Sequence, residues 1–187
     1  MTHMALRLKR WTLTELHRLP DDGNKYEVVD GELFVTPAPS ESHETIASLL
    51  TRILDPYVHE HDLGLVYRPR AVVRVKRSEV EPDLYVRART RRPTSWAAAP
   101  LPILVVEILS PTTRRRDHLE KRRLYVRSGI PEYWIVDEED RMIRVIRPDR
   151  ADVVAKAKLV WRPAGVKRGL SVDVRGLFQE ALGPSTR

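Results

Sequence analysis

The chain has 187 residues, 42% of them hydrophobic and 32% charged, and it contains no cysteine. That is enough chain for one domain with a real core, and the missing cysteines exclude disulfides, thiolate zinc sites and cysteine nucleophiles. Lys plus Arg number 33 against 26 Asp plus Glu, a net of +7, an excess that favours polyanionic partners.

Residues 1–11 carry Arg7, Lys9 and Arg10 but no apolar core of signal-peptide length. The longest uncharged, mainly apolar stretch, 96–106, contains Pro100 and Pro102 and is too short to cross a bilayer. A soluble, cytoplasmic protein with no membrane partner is expected.

Thr12 opens a short helix, with Glu15 at capping-box spacing. Residues 25–30 and 32–36 are two apolar-rich runs meeting at Asp30-Gly31, which predicts a hairpin. A helix begins near Ser40. Ile46, Leu49, Leu50, Ile53, Leu54, Tyr57 and Val58 recur at intervals of three and four, and Gly64 ends the run. Strands are expected at 65–67, 71–76 and 82–86. A basic, proline-containing loop then leads into 103–109, the most apolar strand and one that reads as buried on both faces. Asp117 and Glu120 start a helix that Gly129 stops. Strands follow at 132–137, 141–147, 153–161 and 170–174, with a short helix near 177–182. This order predicts a mixed α/β (α+β) layered fold.

Glu107 is the main anomaly, a carboxylate inside the apolar strand 103–109 and on the side of Ile103, Val105 and Leu109. A buried carboxylate needs an ion pair, hydrogen bonds or a metal. Either a salt bridge to an arginine or a functional role would satisfy it, and the functional role is the better fit to the pattern. Asp83 follows Pro82 at a strand start, and with Glu107 it would make an oxygen-rich site for a hard divalent cation, to which the Ile108 carbonyl could add a ligand.

Asp117, Lys121, Leu124 and Tyr125 share one helical face, leaving Arg122, Arg123 and Arg127 outside. Lys121 is either a functional ammonium or a snorkelling side chain at the core edge. His43 lies on the apolar face of its helix, where a satisfied core histidine is the common outcome. Glu27 reads as an ordinary exposed hairpin carboxylate, and His59-Glu60-His61-Asp62 as surface at a helix end. Ala47 stands where a two-histidine zinc-protease helix would need its second histidine. The second glycine of a serine nucleophile elbow is also missing after Gly169.

Tyr26-Glu27 with Asp30-Gly31-Glu32, the segment 37–40 before His43, Pro82-Asp83, the segment 106–112, Asp117 with Lys121, and the segment 129–137 together resemble the Uma-two family of restriction endonuclease-like proteins. The resemblance runs from about Trp11 to Phe178, so a single domain over 1–187 with its core at about 11–178 is expected. It implies a restriction endonuclease-like core: a central mixed β-sheet flanked by helices, with an N-terminal hairpin and extra C-terminal strands. It also implies metal-dependent hydrolysis of DNA phosphodiesters. Asp83 and Glu107 then match the two acids of the PD-(D/E)XK motif. The motif's lysine position is Leu109, and Lys121 from the following helix takes that part.

On this reading Mg²⁺, or Mn²⁺, sits on Asp83, Glu107 and the Ile108 carbonyl, and Lys121 orients water or stabilises the transition state. Glu27, His43 and Asp117 are accessory candidates. Arg87, Arg89, Arg114, Arg115 and Arg116 would contact DNA phosphates. Replacing Asp83, Glu107 or Lys121 is expected to cost orders of magnitude in rate with the fold intact. A homo-oligomer, most simply a dimer, is expected to act on DNA; the alternatives are a non-catalytic nucleic-acid-binding module, or an accessory protein dimerising through Ile143, Val145 and residues 153–161.

Overall fold

In a computed structural model the described residues are 9–90, 92, 95–110 and 117–184, with the side chains of 117 and 118 excepted. The N-terminal hairpin forms as its turn residues dictate. Strand β1 (Lys25–Val29) pairs antiparallel with β2 (Glu32–Thr36), placing Tyr26 opposite Val35 and Val29 opposite Glu32. Asp30 and Gly31 both take positive φ, 53° and 89°, as a two-residue turn of matching twist requires. Before the hairpin, Thr12 and Glu15 close the expected capping box on helix α1 (Leu13–Leu16).

Helix α2 (Glu41–Glu60) starts where Ser40 accepts a hydrogen bond from the His43 N–H, and its inner face buries Ile46, Leu50, Leu54 and Val58. After Gly64, strand β3 (Leu65–Tyr67) follows. Strands β4 (Val73–Val75) and β5 (Ser78–Val80) turn through Lys76 at φ 53°. β5 has no readable sequence pattern, being three residues with a serine and a glutamate. It becomes a strand by filling the gap between β1 and β4, in a four-stranded sheet ordered β2-β1-β5-β4.

A six-stranded sheet, ordered β10-β9-β8-β7-β6-β3, forms the centre. It comprises β6 (Leu84–Arg87), β7 (Leu104–Ile108), β8 (Tyr133–Asp137), β9 (Met142–Ile146) and β10 (Val153–Ala155) with β3. β7 and β8 are parallel and the other neighbours antiparallel. A parallel pair needs a crossover. Here it is a π-helical turn (Asp117–Lys121) running into helix α3 (Arg122–Arg127).

Alternation along these strands divides the core in two. Leu84, Val106, Ile108, Trp134, Val136, Ile143 and Val145 face α2, while Tyr85, Val105, Leu109, Tyr133 and Ile135 face α3 and the four-stranded sheet. Every residue of β7 and β8 is buried, in keeping with central strands covered on both faces. Ile103 lies just before β7 and packs with the α2-side cluster, opposite the side expected for it.

The run 153–161 is not one strand. It breaks at Lys156-Ala157 into β10 and β11 (Lys158–Trp161), which pairs with β12 (Leu170–Asp173) in a separate two-stranded sheet. Asp173 then caps helix α4 (Val174–Leu182), which packs on α2. Ile143 and Val145 are fully buried in this core, so they cannot form the expected intersubunit surface, although Val153, Val154 and Val160 are exposed. No helix among the described residues is long and apolar enough to cross a membrane.

Candidate active site

Antiparallel pairing puts Leu84 opposite Val106. Asp83, just before β6, and Glu107, just after Val106, therefore meet at the same end of the sheet. The Asp83 carboxylate is fixed from three directions. Its Oδ2 accepts the Ile108 N–H at 2.8 Å and lies 3.1 Å from His43 Nε2, and its Oδ1 is 3.2 Å from Lys25 Nζ. Lys25 also donates to the Glu81 carbonyl at 3.1 Å.

Burial works against the charge on Asp83. The ammonium of Lys25 and the hydrogen bond and charge of His43, with a smaller contribution from Lys121, outweigh it and hold the carboxyl well below the usual carboxylate range. The reciprocal effect appears on His43: burial opposes its cation, yet Asp83 raises its pKa above the ordinary value.

Glu107 is engaged from the other side of the sheet. Its Oε1 accepts from Lys121 Nζ at 2.8 Å and from the Tyr125 hydroxyl at 2.7 Å. Lys121 also lies 2.8 Å from Glu27 Oε1, which accepts the Glu81 N–H at 2.9 Å. Glu27 and Lys121 have no solvent exposure at all. Glu27 is thus a buried carboxylate rather than an exposed hairpin residue, and Lys121 does not snorkel. A fully buried ammonium between two carboxylates is tolerated because each carboxylate is close enough to return the solvation that water would have given. The same surroundings, burial first and then the Glu107 charge, raise the Tyr125 hydroxyl far above its ordinary pKa, so it stays a donor.

Asp83, Glu107 and Ile108 form part of the floor of a cleft of about 570 Å³, whose walls include Lys25, Ser40, His43, Arg70, Glu81 and Ser110. Lys121 lies behind Glu107 rather than on the cleft wall. The π-helical turn and helix α3 together bury Lys121, Leu124 and Tyr125 and leave Arg122 partly exposed and Arg123 and Arg127 exposed, as the spacing predicts. The side chain of Asp117 and residues Arg114, Arg115 and Arg116 fall outside the described residues. Arg89 is exposed. Arg87 is not: its guanidinium is buried, lies 4.5 Å from the Tyr67 ring centroid and donates to the Tyr67 hydroxyl at 2.9 Å. It packs β6 against β3 and cannot make the phosphate contact expected of it. His59, Glu60 and Asp62 are exposed and His61 packs on Tyr57, which leaves that cluster on the surface.

Carboxylate oxygens are the donors a hard divalent cation takes, and Asp83 and Glu107 both line this cleft. Among the described residues no group of three or more His, Asp or Glu side chains could hold a metal ion by itself. Such a floor suits an ion that keeps several waters and shares a substrate phosphate, as Mg²⁺ does. Ile108 contributes its N–H, which orients Asp83. Lys25 and Glu81 are the site residues the sequence reading missed. Lys25 alternates with Glu27 and Val29 on one side of β1, and that pattern could have drawn attention to it.

Among solved structures, one of a protein from Anabaena variabilis ATCC 29413, titled "putative nuclease belonging to DUF820", is similar with a TM-score of 0.75. It is 19% identical and the likeness covers 92% of this chain and 99% of that one, which shows the shared fold. No curated protein matches. Residues 13–175 match the family described as "Uma2: Putative restriction endonuclease", so nearly the whole chain, both acids included, belongs to that family.

Proposed function

We propose that this protein is a Mg²⁺-dependent endodeoxyribonuclease acting at the cleft floored by Asp83 and Glu107. The observation that carries the reading is that these two buried carboxylates, one just before β6 and one on the adjacent strand β7, line one cleft. Membership of a restriction endonuclease-like family, whose enzymes are generally metal-dependent, supports it. A bound divalent cation would polarise the scissile phosphate and make an attacking water more acidic.

The remaining work falls to the chain. Lys25 and His43 keep Asp83 ionised, and the Ile108 N–H fixes its direction. Lys121 and Tyr125 hold one Glu107 oxygen in place, so the carboxylate is set before substrate arrives and little reorganisation is needed during reaction. Lys121 therefore acts through Glu107. Exposed arginines such as Arg89, with Arg114, Arg115 and Arg116, are the proposed contacts to the DNA backbone.

The test is incubation of supercoiled plasmid with purified protein in Mg²⁺, Mn²⁺ or EDTA, beside Asp83→Asn and Glu107→Gln. Metal-dependent nicking or linearisation is expected, abolished by EDTA and reduced at least about a hundredfold by either substitution. Salt-sensitive DNA binding with no cleavage under any metal would instead mark a binding module that has kept the nuclease fold.

A further inference from the structure

The cleft floor is acidic, with Asp83, Glu107 and Glu81 all lining it. A phosphodiester drawn against those groups meets like charge, which an accessible side-chain cation on the cleft wall would offset alongside a bound metal. Lys121 has the right chemistry and the wrong position: its side chain is 0% exposed and bound between Glu27 and Glu107. Lys25 has both. It stands at the start of β1, its ammonium reaches the cleft wall, its side chain keeps 17% exposure, and it lies 3.2 Å from Asp83 Oδ1. Its second contact, the Glu81 carbonyl, ties it to the segment that carries Asp83. Arg70 also lines the cleft, but it is exposed at the rim and paired with Asp21 at 3.2 Å.

Resting on the function proposed above, we propose that Lys25 is the substrate-facing ammonium of this site, contacting a non-bridging phosphate oxygen of DNA held against Asp83. The strand that carries it also carries Glu27, the partner of Lys121. One strand thereby sets a buried cation that orients Glu107 and an accessible one that meets the phosphate.

Binding of a fluorescein-labelled duplex oligonucleotide, followed by anisotropy across a salt series in EDTA, tests this apart from catalysis. Lys25→Met is expected to weaken binding about tenfold and to reduce the slope of log K against log salt by about 1, the signature of one lost phosphate contact. Lys25→Arg is expected to restore the slope, and Lys25→Gln, checked by its melting curve, serves as the second charge-free variant. With Mg²⁺, Lys25→Met should also lose cleavage beyond its loss of binding.

Two results overturn the proposal alone, given a wild-type protein that binds and cleaves: wild-type slope and affinity in both charge-free variants, or a lowered Tm with an unchanged slope. A wild-type protein that binds no duplex at any salt overturns it together with the function it rests on. If the wild type cleaves and Asp83→Asn does not, the nuclease reading stands whatever Lys25 does.

Discussion

At the scale of single residues, the buried group of Glu27, Lys121 and Glu107 decides how the site tolerates change. It holds two carboxylates for one ammonium, all within 2.8 Å contacts. Lys121→Met leaves both carboxylates buried without their cation, and is expected to destabilise the protein by about 3–5 kcal/mol, read as a fall in the urea midpoint. Glu107→Gln instead leaves a balanced Lys121–Glu27 pair and keeps an oxygen for the Tyr125 hydroxyl. The metal-free Tm of that variant should match or exceed wild type. The expectation that Lys121 could be replaced with the fold intact therefore fails on burial, while Glu107 remains open to a clean activity test.

The pair His43–Asp83 gives a pH signature of opposite kind. His43 is raised above its ordinary value of 6.5, so its contribution to stability is present below that value and lost as pH climbs through the raised one. Asp83 is depressed, so its contribution persists in acid until well below the ordinary carboxylate range. In EDTA, the Tm advantage of wild type over His43→Gln should be greatest below about pH 6.5 and shrink above it. An advantage that grows with pH would contradict the assignment.

At the scale of elements, the join between α2 and β3 shows how a connection positions a sheet edge. Gly64 takes φ 122°, and a Cβ there would collide with the Arg87 carbonyl oxygen and the Ala88 backbone. Only a glycine lets β3 come in against the end of β6, where Leu65 pairs with Arg87. Gly64→Ala is expected to cost about 2 kcal/mol or more, combining left-handed strain with overpacking. Gly129→Ala, at φ 77° with nothing within 4 Å, should cost only the strain, about 1 kcal/mol. Equilibrium urea unfolding of the two variants separates the contributions.

The elements also show what could be read in advance. The hairpin, α2 and strand 104–108 announce themselves because each satisfies its own local rule: a turn pair with positive φ, a three-and-four apolar repeat, an unbroken apolar run. β5 and the division of 153–161 into two strands obey no local rule. Both are set by which neighbour has an unfilled edge.

At the scale of the whole molecule, the chain places its two acids where the direction of the sheet brings distant segments together. The crossover through α3 makes β7 and β8 parallel and swings Lys121 under Glu107, fourteen residues away in sequence. The four-stranded sheet then covers that face and brings Glu27 and Lys25 to the same end. From the sequence alone came the layered α+β class, the central buried strand, the anomaly of Glu107 and the inward face of Lys121, because periodicity and the cost of burying charge are local properties of the chain. The tertiary structure alone decided that Glu27 is buried, that Lys121 serves Glu107 from behind, that Arg87 is packed away and that Lys25 faces the cleft. Those outcomes depend on which side chains meet across strands far apart in sequence, and the burial and pairing of a charge are settled only there.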